Sequence, residues 1–263
     1  MTGQSVVGNG QWGEEAPPLF GDLSLRLLTP AFTTIEHALA TEEAVLATVD
    51  AGESPATLLF WEWSSPAVIV GRSNQIHREV CVDACDRHGV PILRRCSGGG
   101  TVVLGRGCLC YALVLPVTPH HRALGISTVT RAIMQQTANG FVAAGFDVCV
   151  DGISDLVVGN HKFSGNSQRW QKNALLHHGT ILYDFDLAQI DRYLQFPSRQ
   201  PDYRADRHHH EFVTNLPATK SMVVSTLTST WHASAGTAVP SELTRADELL
   251  RTRYHDAAWH RGR

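Results

Sequence analysis

The segment from residue 146 to residue 184 constrains the fold most strongly, because it contains four strand-like stretches separated only by short turns. Apolar and β-branched residues are frequent in these stretches, which we place at 146–150, 155–158, 161–168 and 174–184. Gly159–Asn160, between the second and third, is typical of a tight turn. Strands joined in this way run antiparallel, so this part of the chain predicts sheet hairpins rather than alternating βαβ units.

Helices and further strands flank this segment. Thr33 or Thr34 is placed to cap a helix that continues to about residue 49, and Ser127 or Thr128 one that Gly145 ends. Residues 101–104 and 108–116 resemble a hairpin that turns at Gly105–Gly107. Two further helices are predicted near the end of the chain, over about 217–234 and 241–255. Hairpins mixed with helices predict an α+β fold with a mixed, largely antiparallel sheet flanked by helices.

The composition is typical of a packed globular domain. Of 263 residues, 43% are hydrophobic and 18% are charged. The net charge of -3 gives no excess of positive charge for binding nucleic acid or an acidic membrane. Apolar runs are shorter than the ~18 residues needed to cross a bilayer, and no secretory signal pattern is present. We expect a cytoplasmic protein with a flexible tail over residues 1–20 and a single domain over residues 21–263.

A glycine-rich loop is the strongest local sign of a ligand site. It has the sequence RRCSGGGT over residues 94–101 and directly follows a predicted strand. Consecutive glycines let a ligand approach the backbone and turn N–H groups toward an anion such as phosphate, and the arginines can add charge-assisted hydrogen bonds. The loop matches neither the Walker A pattern nor GxGxxG. A glycine bend inside a sheet is the alternative interpretation.

Lys162 is unusual because the chain contains only three lysines among its 22 basic residues. It begins the segment KFSGNSQR, on a predicted hairpin that follows Asp155. A compact ammonium among small polar residues can bridge a carboxylate and a phosphate, which suits an acid attacking the α-phosphate of ATP. An exposed strand lysine is the alternative interpretation.

The histidines do not predict a metal centre. His177 and His178 are adjacent, so on a strand they would point to opposite faces. The run over residues 208–210 falls in a predicted loop, where a solvated polar segment is the simpler interpretation. Neither group has further ligands at suitable spacing. We therefore expect no metal-binding site.

Three motifs, taken in order and spacing, resemble the lipoate–protein ligase A family. They are RRCSGGGTV, SDLVVGNHKFSGNSQR and LHHGTIL, where the family has RRxSGGGA, NDL…KxSGxA and HHGTLL. VIVGRSNQ (68–75) and VTNL (213–216) resemble further landmarks, and the resemblance covers residues 23–235. It implies the catalytic-domain fold shared by biotin ligases, lipoate ligases and octanoyltransferases. The biotin-ligase signature GRGRxGR is absent, which disfavours biotin as the substrate.

The resemblance implies roles for individual residues. Lys162 and Asp155 fall on the catalytic positions, where the lysine contacts the lipoate carboxylate and the α-phosphate and the aspartate orients the lysine or the ribose. His177 and Gly179 fall in the acyl pocket. The residues at nucleotide- and acyl-binding positions are Arg95, Ser97, Gly98, Gly99, Gly100, Thr101, Val102 and Val103.

The activity implied by the resemblance is ATP-dependent attachment of lipoate or octanoate to a lysine of a carrier protein. ATP and Mg²⁺ would enter as a substrate complex. The implied carriers are lipoyl domains of 2-oxoacid dehydrogenase complexes or the glycine cleavage H protein. Two departures from the family stand out: residues 104–108 replace its HDxGN segment, and the chain is too short for a full C-terminal accessory domain. These departures leave open whether a separate accessory subunit is needed.

Two other activities remain open. An octanoyltransferase would take octanoyl from acyl carrier protein through a cysteine thioester, and Cys149, before Asp155, is the candidate nucleophile. A reactive thiolate needs nearby positive charge, which no adjacent residue supplies, so a buried strand cysteine is the alternative interpretation. A non-catalytic protein that binds lipoyl domains or acyl groups is the third hypothesis, which the intact Lys162 motif disfavours.

Overall fold

The computed structural model describes residues 19–21, 23–197 and 200–262. Apart from Leu19 and Phe20, the tail predicted over residues 1–20 lies outside these ranges. The described strands, numbered in chain order, are β1 (Leu25–Leu28), β2 (Thr57–Glu62), β3 (Ala67–Val70), β4 (Ile92–Arg94), β5 (Val102–Leu104), β6 (Cys108–Pro116), β7 (Val148–Asp151), β8 (Asp155–Val158), β9 (His161–Trp170), β10 (Ala174–Leu182) and β11 (Ala233–Ala235).

Eight of these strands form one mixed sheet in the order β11-β1-β2-β6-β10-β9-β8-β7. β1 runs parallel to both β11 and β2. The remaining pairs are antiparallel, and β7 to β10 form the predicted hairpins. The predicted α+β class with a mixed, largely antiparallel sheet is therefore confirmed.

The predicted hairpin between residues 101–104 and 108–116 is wrong. β5 pairs with β3 in a separate three-stranded sheet, whereas β6 lies between β2 and β10 in the main sheet. The chain crosses between the sheets at Gly107, which has φ +83°, and an added Cβ there would lie 2.0 Å from the carbonyl oxygen of Asp184. The Gly107 N–H also donates to the carboxylate of Glu62 at 2.9 Å. Gly107 is therefore required where the chain passes from one sheet to the other, because a side chain would clash there.

Ten α-helices are described: α1 (Ile35–Asp50), α2 (Ile76–Glu79), α3 (Val82–His88), α4 (Pro119–Leu124), α5 (Ile126–Ala143), α6 (Ala188–Tyr193), α7 (His209–Phe212), α8 (Lys220–Thr230), α9 (Pro240–Leu249) and α10 (Ala257–Arg261). Thr34 caps α1 as predicted, because its hydroxyl accepts from the N–H of His37 at 3.2 Å. α5 begins before the predicted caps Ser127 and Thr128, since the unpredicted α4 precedes it and only Gly125 separates the two helices.

The main sheet is covered on both faces. On β6, Ala112 and Val114 belong to a core cluster that includes residues of α1, such as Leu46. The alternate residue Leu113 belongs to a second cluster with Ile133 of α5 and residues of α8. Burial of both faces explains why the sequence of β6 is an almost continuous apolar run. No helix within the described ranges is long and apolar enough to cross a membrane.

α10 supports the strand that leads into the glycine-rich loop. His260 Nδ1 accepts from the backbone N–H of Arg94 at 2.9 Å, and the Arg94 side chain donates to the carbonyl of Trp259 at 3.1 Å. The same guanidinium donates to the carbonyls of Gly71 at 2.8 Å and Asn74 at 2.9 Å. Arg94 therefore links the C-terminal helix to the connection between β3 and α2.

Candidate active site

A cleft of about 1630 Å³ contains most of the predicted site residues. Its walls are formed by the glycine-rich loop, by parts of β8, β9 and β10, and by the connection before α7. Apolar side chains such as Leu39, Trp61 and Leu182 lie beside polar groups, which suits a ligand with an apolar chain and a charged end. The predicted residues that line it are Lys162, Asp155, Arg95, Gly98, Gly99, Gly100, Thr101, Val102, Val103 and Gly179.

Lys162 and Asp155 meet inside this cleft. Lys162 Nζ lies 2.8 Å from Asp155 Oδ1, and the lysine side chain remains 28% exposed. The other oxygen of Asp155 accepts a hydrogen bond from the phenol of Tyr203 at 2.8 Å. Burial and the Asp155 carboxylate raise the pKa of Tyr203, so the phenol stays protonated and continues to donate. Asp155 is thus held by Tyr203, and it holds the ammonium of Lys162 at the cleft.

A β-bulge in β9 directs Lys162 toward the cleft. Leu156 pairs with Ser164, but the next pair is Val157 with Lys162, so Phe163 is an extra residue on β9. On a regular strand Lys162 and Ser164 would point to the same face. The bulge changes this alternation and re-aims the lysine, while Phe163 is fully buried in the core.

Two neighbours constrain Lys162 further. Its carbonyl accepts from the N–H of Thr214 at 2.9 Å, so the VTNL segment lies against it. Gly165 leaves room for the side chain, because an added Cβ there would lie 2.7 Å from both Cε and Nζ of Lys162. The small residue in KFSG is therefore required by the position of the lysine.

Arg95 forms the floor of the glycine-rich loop. Its Nη2 donates to the carbonyls of Gly98 at 2.5 Å and Gly100 at 2.7 Å, and its Nη1 to that of Ile69 at 3.2 Å. Burial lowers the pKa of Arg95 to about 10, which leaves the guanidinium charged at neutral pH. The sequence indicates that the arginines can add charge-assisted hydrogen bonds to a phosphate, whereas the Arg95 guanidinium donates to carbonyls of the loop itself.

The N–H groups of the loop remain available for a ligand. Those of Gly99 and Gly100 donate to no residue within the described ranges. An added Cβ on Gly100 would meet no protein atom within 4 Å, so the space beside it is open. Free N–H groups in a cleft that also contains an ammonium form a suitable site for phosphate or carboxylate.

The two adjacent histidines face different surroundings. His177 is fully buried and does not line the cleft; its Nδ1 lies 2.9 Å from Gln168 Nε2. Burial, assisted by His178, lowers the pKa of His177 to about 3, so this ring stays neutral. His178 lines the cleft instead. The predicted pocket position His177 therefore lies behind the cleft wall, next to the residue that reaches the cleft.

Cys149 is exposed on β7, at the edge of the main sheet, rather than buried as the alternative interpretation proposed. Its neighbour Val150 lines the cleft but Cys149 does not, as expected for alternating residues of a strand. Desolvation, followed by the carboxylates of Asp151 and Asp147, raises the pKa of the Cys149 thiol. Cys110 is the only described cysteine that lines the cleft, and burial raises its thiol pKa well above the usual range.

The remaining histidine run forms a local acid–base cluster. Asp191 accepts from His209 Nδ1 at 3.0 Å and from His210 Nδ1 at 3.2 Å. Among the residues that the structure describes, no group of three or more His, Cys, Asp or Glu side chains is placed to hold a metal ion.

Among the cleft residues that were not predicted from the sequence, Glu42, His178 and Tyr203 contribute hydrogen bonds to the site. Tyr203 lies in a connection with no periodic pattern, and Glu42 is one of two adjacent glutamates on a helix. Only His178 had a signal, as a partner of His177 in the HHGT motif. Because adjacent strand residues point to opposite faces, the sequence predicts that one of the two histidines faces the cleft. It does not show which of them does so.

The chain belongs to the lipoyl protein ligase A/B catalytic domain family, whose model matches residues 34–228. A probable lipoate-protein ligase A from Mycoplasma genitalium is 26% identical over 246 residues, which cover 90% of this chain and 71% of that protein. The octanoyltransferase LipM from Geobacillus kaustophilus is 30% identical over 204 residues, which cover 68% of this chain and 70% of that protein. The chain is thus similar to both ligases and transferases.

Solved structures of lipoate–protein ligases have the same fold. A bi-partite ligase from Thermoplasma acidophilum, described with its E2 lipoyl domain, has a TM-score of 0.78 at 23% identity and covers 91% of this chain and 97% of its own. A lipoate-protein ligase A bound with ATP has the same TM-score and identity, with 91% and 99% covered. A putative ligase from T. acidophilum with bound lipoic acid has a TM-score of 0.77 at 22% identity, with 92% and 100% covered. The predicted ligase-like fold is confirmed.

Proposed function

We propose that this chain is a lipoate–protein ligase, with a single catalytic domain that activates lipoate or octanoate with ATP and transfers the acyl group to a carrier lysine. The observation that carries the proposal is the shared cleft of Lys162 and the glycine-rich loop. The ammonium and the N–H groups of Gly99 and Gly100 suit the acid carboxylate and the α-phosphate. Solved ligases of the same fold with ATP and with lipoic acid support both compounds as substrates.

In the first step, a carboxylate oxygen of the acid attacks the α-phosphorus of ATP. The bond to pyrophosphate breaks, and the acyl-adenylate forms. Negative charge accumulates on the phosphate oxygens in the transition state, where Lys162 and the loop N–H groups stabilise it. Asp155 orients the lysine and Tyr203 orients Asp155. Mg²⁺ enters with the nucleotide as part of the substrate complex.

In the second step, the neutral amine of the carrier lysine attacks the acyl carbonyl, AMP leaves, and the nitrogen loses a proton. We propose lipoyl domains of 2-oxoacid dehydrogenase complexes, or the glycine cleavage H protein, as carriers. The archaeal neighbour described with its E2 lipoyl domain supports the first of these. That neighbour is a bi-partite ligase, which also supports a second polypeptide as a participant in activation.

The proposed function is tested by lipoate-dependent exchange of labelled pyrophosphate into ATP. We expect exchange to require lipoate or octanoate together with Mg²⁺, because reversal of the first step needs all of its components. Attachment of octanoyl to a lipoyl domain from octanoyl-acyl carrier protein, without ATP and with no pyrophosphate exchange, would contradict the proposal.

An octanoyltransferase is the second candidate function, which the similarity to LipM favours. It would require a cysteine that attacks octanoyl-acyl carrier protein and forms a thioester. Cys149 is exposed on the edge strand and does not line the cleft, and no positive group lowers its thiol pKa. The position of Cys149 therefore supports the ligase over a transferase that uses this cysteine.

Replacing Cys149 with serine is expected to be nearly silent. Because the side chain is exposed and outside the cleft, the free energy of unfolding should change by no more than about 0.5 kcal/mol. ATP-dependent acyl transfer should stay within twofold of wild type. Intact-protein mass spectrometry after incubation with octanoyl-acyl carrier protein checks the same point. A hydroxylamine-sensitive octanoyl adduct, formed without ATP and lost in Cys149→Ser, would identify the transferase.

A further inference from the structure

A chain of buried hydrogen bonds lies directly beneath the glycine-rich loop. Ser97 Oγ lies 2.6 Å from His178 Nε2, and His178 Nδ1 lies 2.5 Å from Glu42 Oε2. The other oxygen of Glu42 accepts from Trp61 Nε1 at 2.8 Å. Ser97 Oγ also lies 3.0 Å from Arg95 Nε. The chain thus connects α1, β2 and β10 to the loop.

The donors and acceptors of this chain allow one consistent arrangement. The Nε–H of Arg95 can only donate, so Ser97 Oγ accepts from it and directs its own proton to His178 Nε2. His178 Nδ1–H then donates to Glu42. With a proton on Nε2, in the other neutral tautomer or in the doubly protonated ring, the Ser97 proton would lack this acceptor. In the neutral Nε2–H tautomer a bare Nδ1 would also face a carboxylate oxygen. The contacts therefore assign His178 the Nδ1–H tautomer.

This series of hydrogen bonds ends at the carbonyl groups of the glycine-rich loop. The Arg95 guanidinium that contacts Ser97 also donates to the carbonyls of Gly98 and Gly100. With these carbonyls bound to Arg95, the N–H groups of Gly99 and Gly100, which line the cleft, donate to no residue within the described ranges. Ser97, His178 and Glu42 are only 1%, 7% and 3% exposed, so a partner lost here would not be replaced easily by water.

We propose that His178 is a positioning residue: Glu42 fixes its tautomer, and the ring orients Ser97 and Arg95 so that the glycine-rich loop presents its N–H groups. The assignment rests on the proposed function only in taking the glycine-rich loop as the nucleotide or acyl site. The tautomer and the loop geometry do not depend on which acid is activated or on how the acyl group arrives.

A serine–histidine–carboxylate series is also the arrangement of serine hydrolases. Two observations distinguish the Ser97–His178–Glu42 series from the catalytic series of a serine hydrolase. Ser97 is only 1% exposed and does not line the cleft, and its oxygen is already engaged by Arg95. A nucleophile must reach its substrate, so the geometry fits positioning rather than acyl transfer through Ser97.

The test is Glu42→Gln, read by ¹⁵N chemical shifts of the His178 ring in the ligand-free protein. The glutamine oxygen must continue to accept from Trp61, so its amide group faces His178 Nδ1 and reverses the tautomer. We expect a protonated Nδ1 in wild type and a protonated Nε2 in the variant. The backbone amide signals of Gly99 and Gly100 should shift, and affinity for ATP or lipoate should fall about tenfold.

Ser97→Ala interrupts the same series of hydrogen bonds at its other end. It provides a second variant if Glu42→Gln does not fold. It should leave Nδ1 protonated, because Glu42 remains, yet shift the same glycine signals. Thr48→Val is the matched control: Thr48 is fully buried on the same helix, and its hydroxyl donates to carbonyls of that helix, those of Ala44 and Val45. It should change neither the tautomer nor the loop.

Three results would overturn the assignment. One is a protonated Nε2 of His178 in the wild-type protein. Another is an unchanged set of glycine signals in both Glu42→Gln and Ser97→Ala. The third is covalent labelling of Ser97 by a fluorophosphonate, which would show a reactive nucleophile. The tautomer of His178 is measured in the ligand-free protein. Failure of the positioning role can therefore be distinguished from failure of the proposed ligase activity.

Discussion

Replacing Lys162 with alanine is expected to reduce acyl attachment at least ~100-fold and to leave the fold intact. Removing one preorganised donor that stabilises transition-state charge typically costs about 10²–10³ in rate. The ion pair with Asp155 is partly exposed, so its loss should affect stability little, and Tyr203 continues to bind the carboxylate. The measurement is the rate of octanoyl addition to a lipoyl domain, followed by mass spectrometry with saturating ATP.

Two variants make this result specific. Lys172→Ala removes another lysine at an exposed position between β9 and β10, and it should retain activity within twofold. Lys162→Arg keeps the charge but should also be poor, because a guanidinium is larger and the lysine already packs closely against Gly165. Near-normal activity of Lys162→Ala would show that the lysine has no role in catalysis.

The sequence predicted that Lys162 and Asp155 act together, but not the geometry that joins them. The motif supplied the residue types and their order along the chain. Whether a strand contains a bulge depends on its pairing with the neighbouring strand, and here Phe163 is the additional residue. Without knowledge of that pairing, the lysine would be assigned to the wrong face of β9.

Local patterns were also insufficient to assign strands to sheets. β5 and β6 are both strand-like, and the glycines between them are typical of a hairpin. Their actual partners are set by contacts distant in sequence, among them the Gly107 bond to Glu62 and the close approach of Gly107 to Asp184. The existence of β5 and β6 was predictable, whereas the partners of these two strands were not.

The histidine pair shows the same limit at the level of one side chain. β10 is buried on both faces, so its sequence has no alternation of polar and apolar residues to indicate which face meets the cleft. Adjacency places His177 and His178 on opposite faces, but the choice between them depends on the packing of β10 between β6 and β9.

The glycine-rich loop provides the second large expected effect, through Gly100→Val. A side chain at this position meets no protein atom, because nothing lies within 4 Å of the added Cβ. It would instead enter the space where the ligand is expected. We expect affinity for ATP or lipoate to fall about 10- to 100-fold, as for a side chain forced into occupied space, with the melting temperature almost unchanged.

Gly99→Val is the matched comparison one residue earlier. Gly99 has φ +80°, and an added Cβ would lie 3.0 Å from both Arg95 Nη2 and Ser167 Oγ, so this variant should lose stability as well as ligand affinity. Calorimetric titration with ATP and with lipoate, together with thermal unfolding, separates the two effects. If Gly100→Val bound both ligands like wild type, the loop would not be the ligand site. The open surroundings of Gly100 predict little loss of stability. If Gly100→Val unfolded instead, this expectation would be wrong, and Gly100 would be required by the fold.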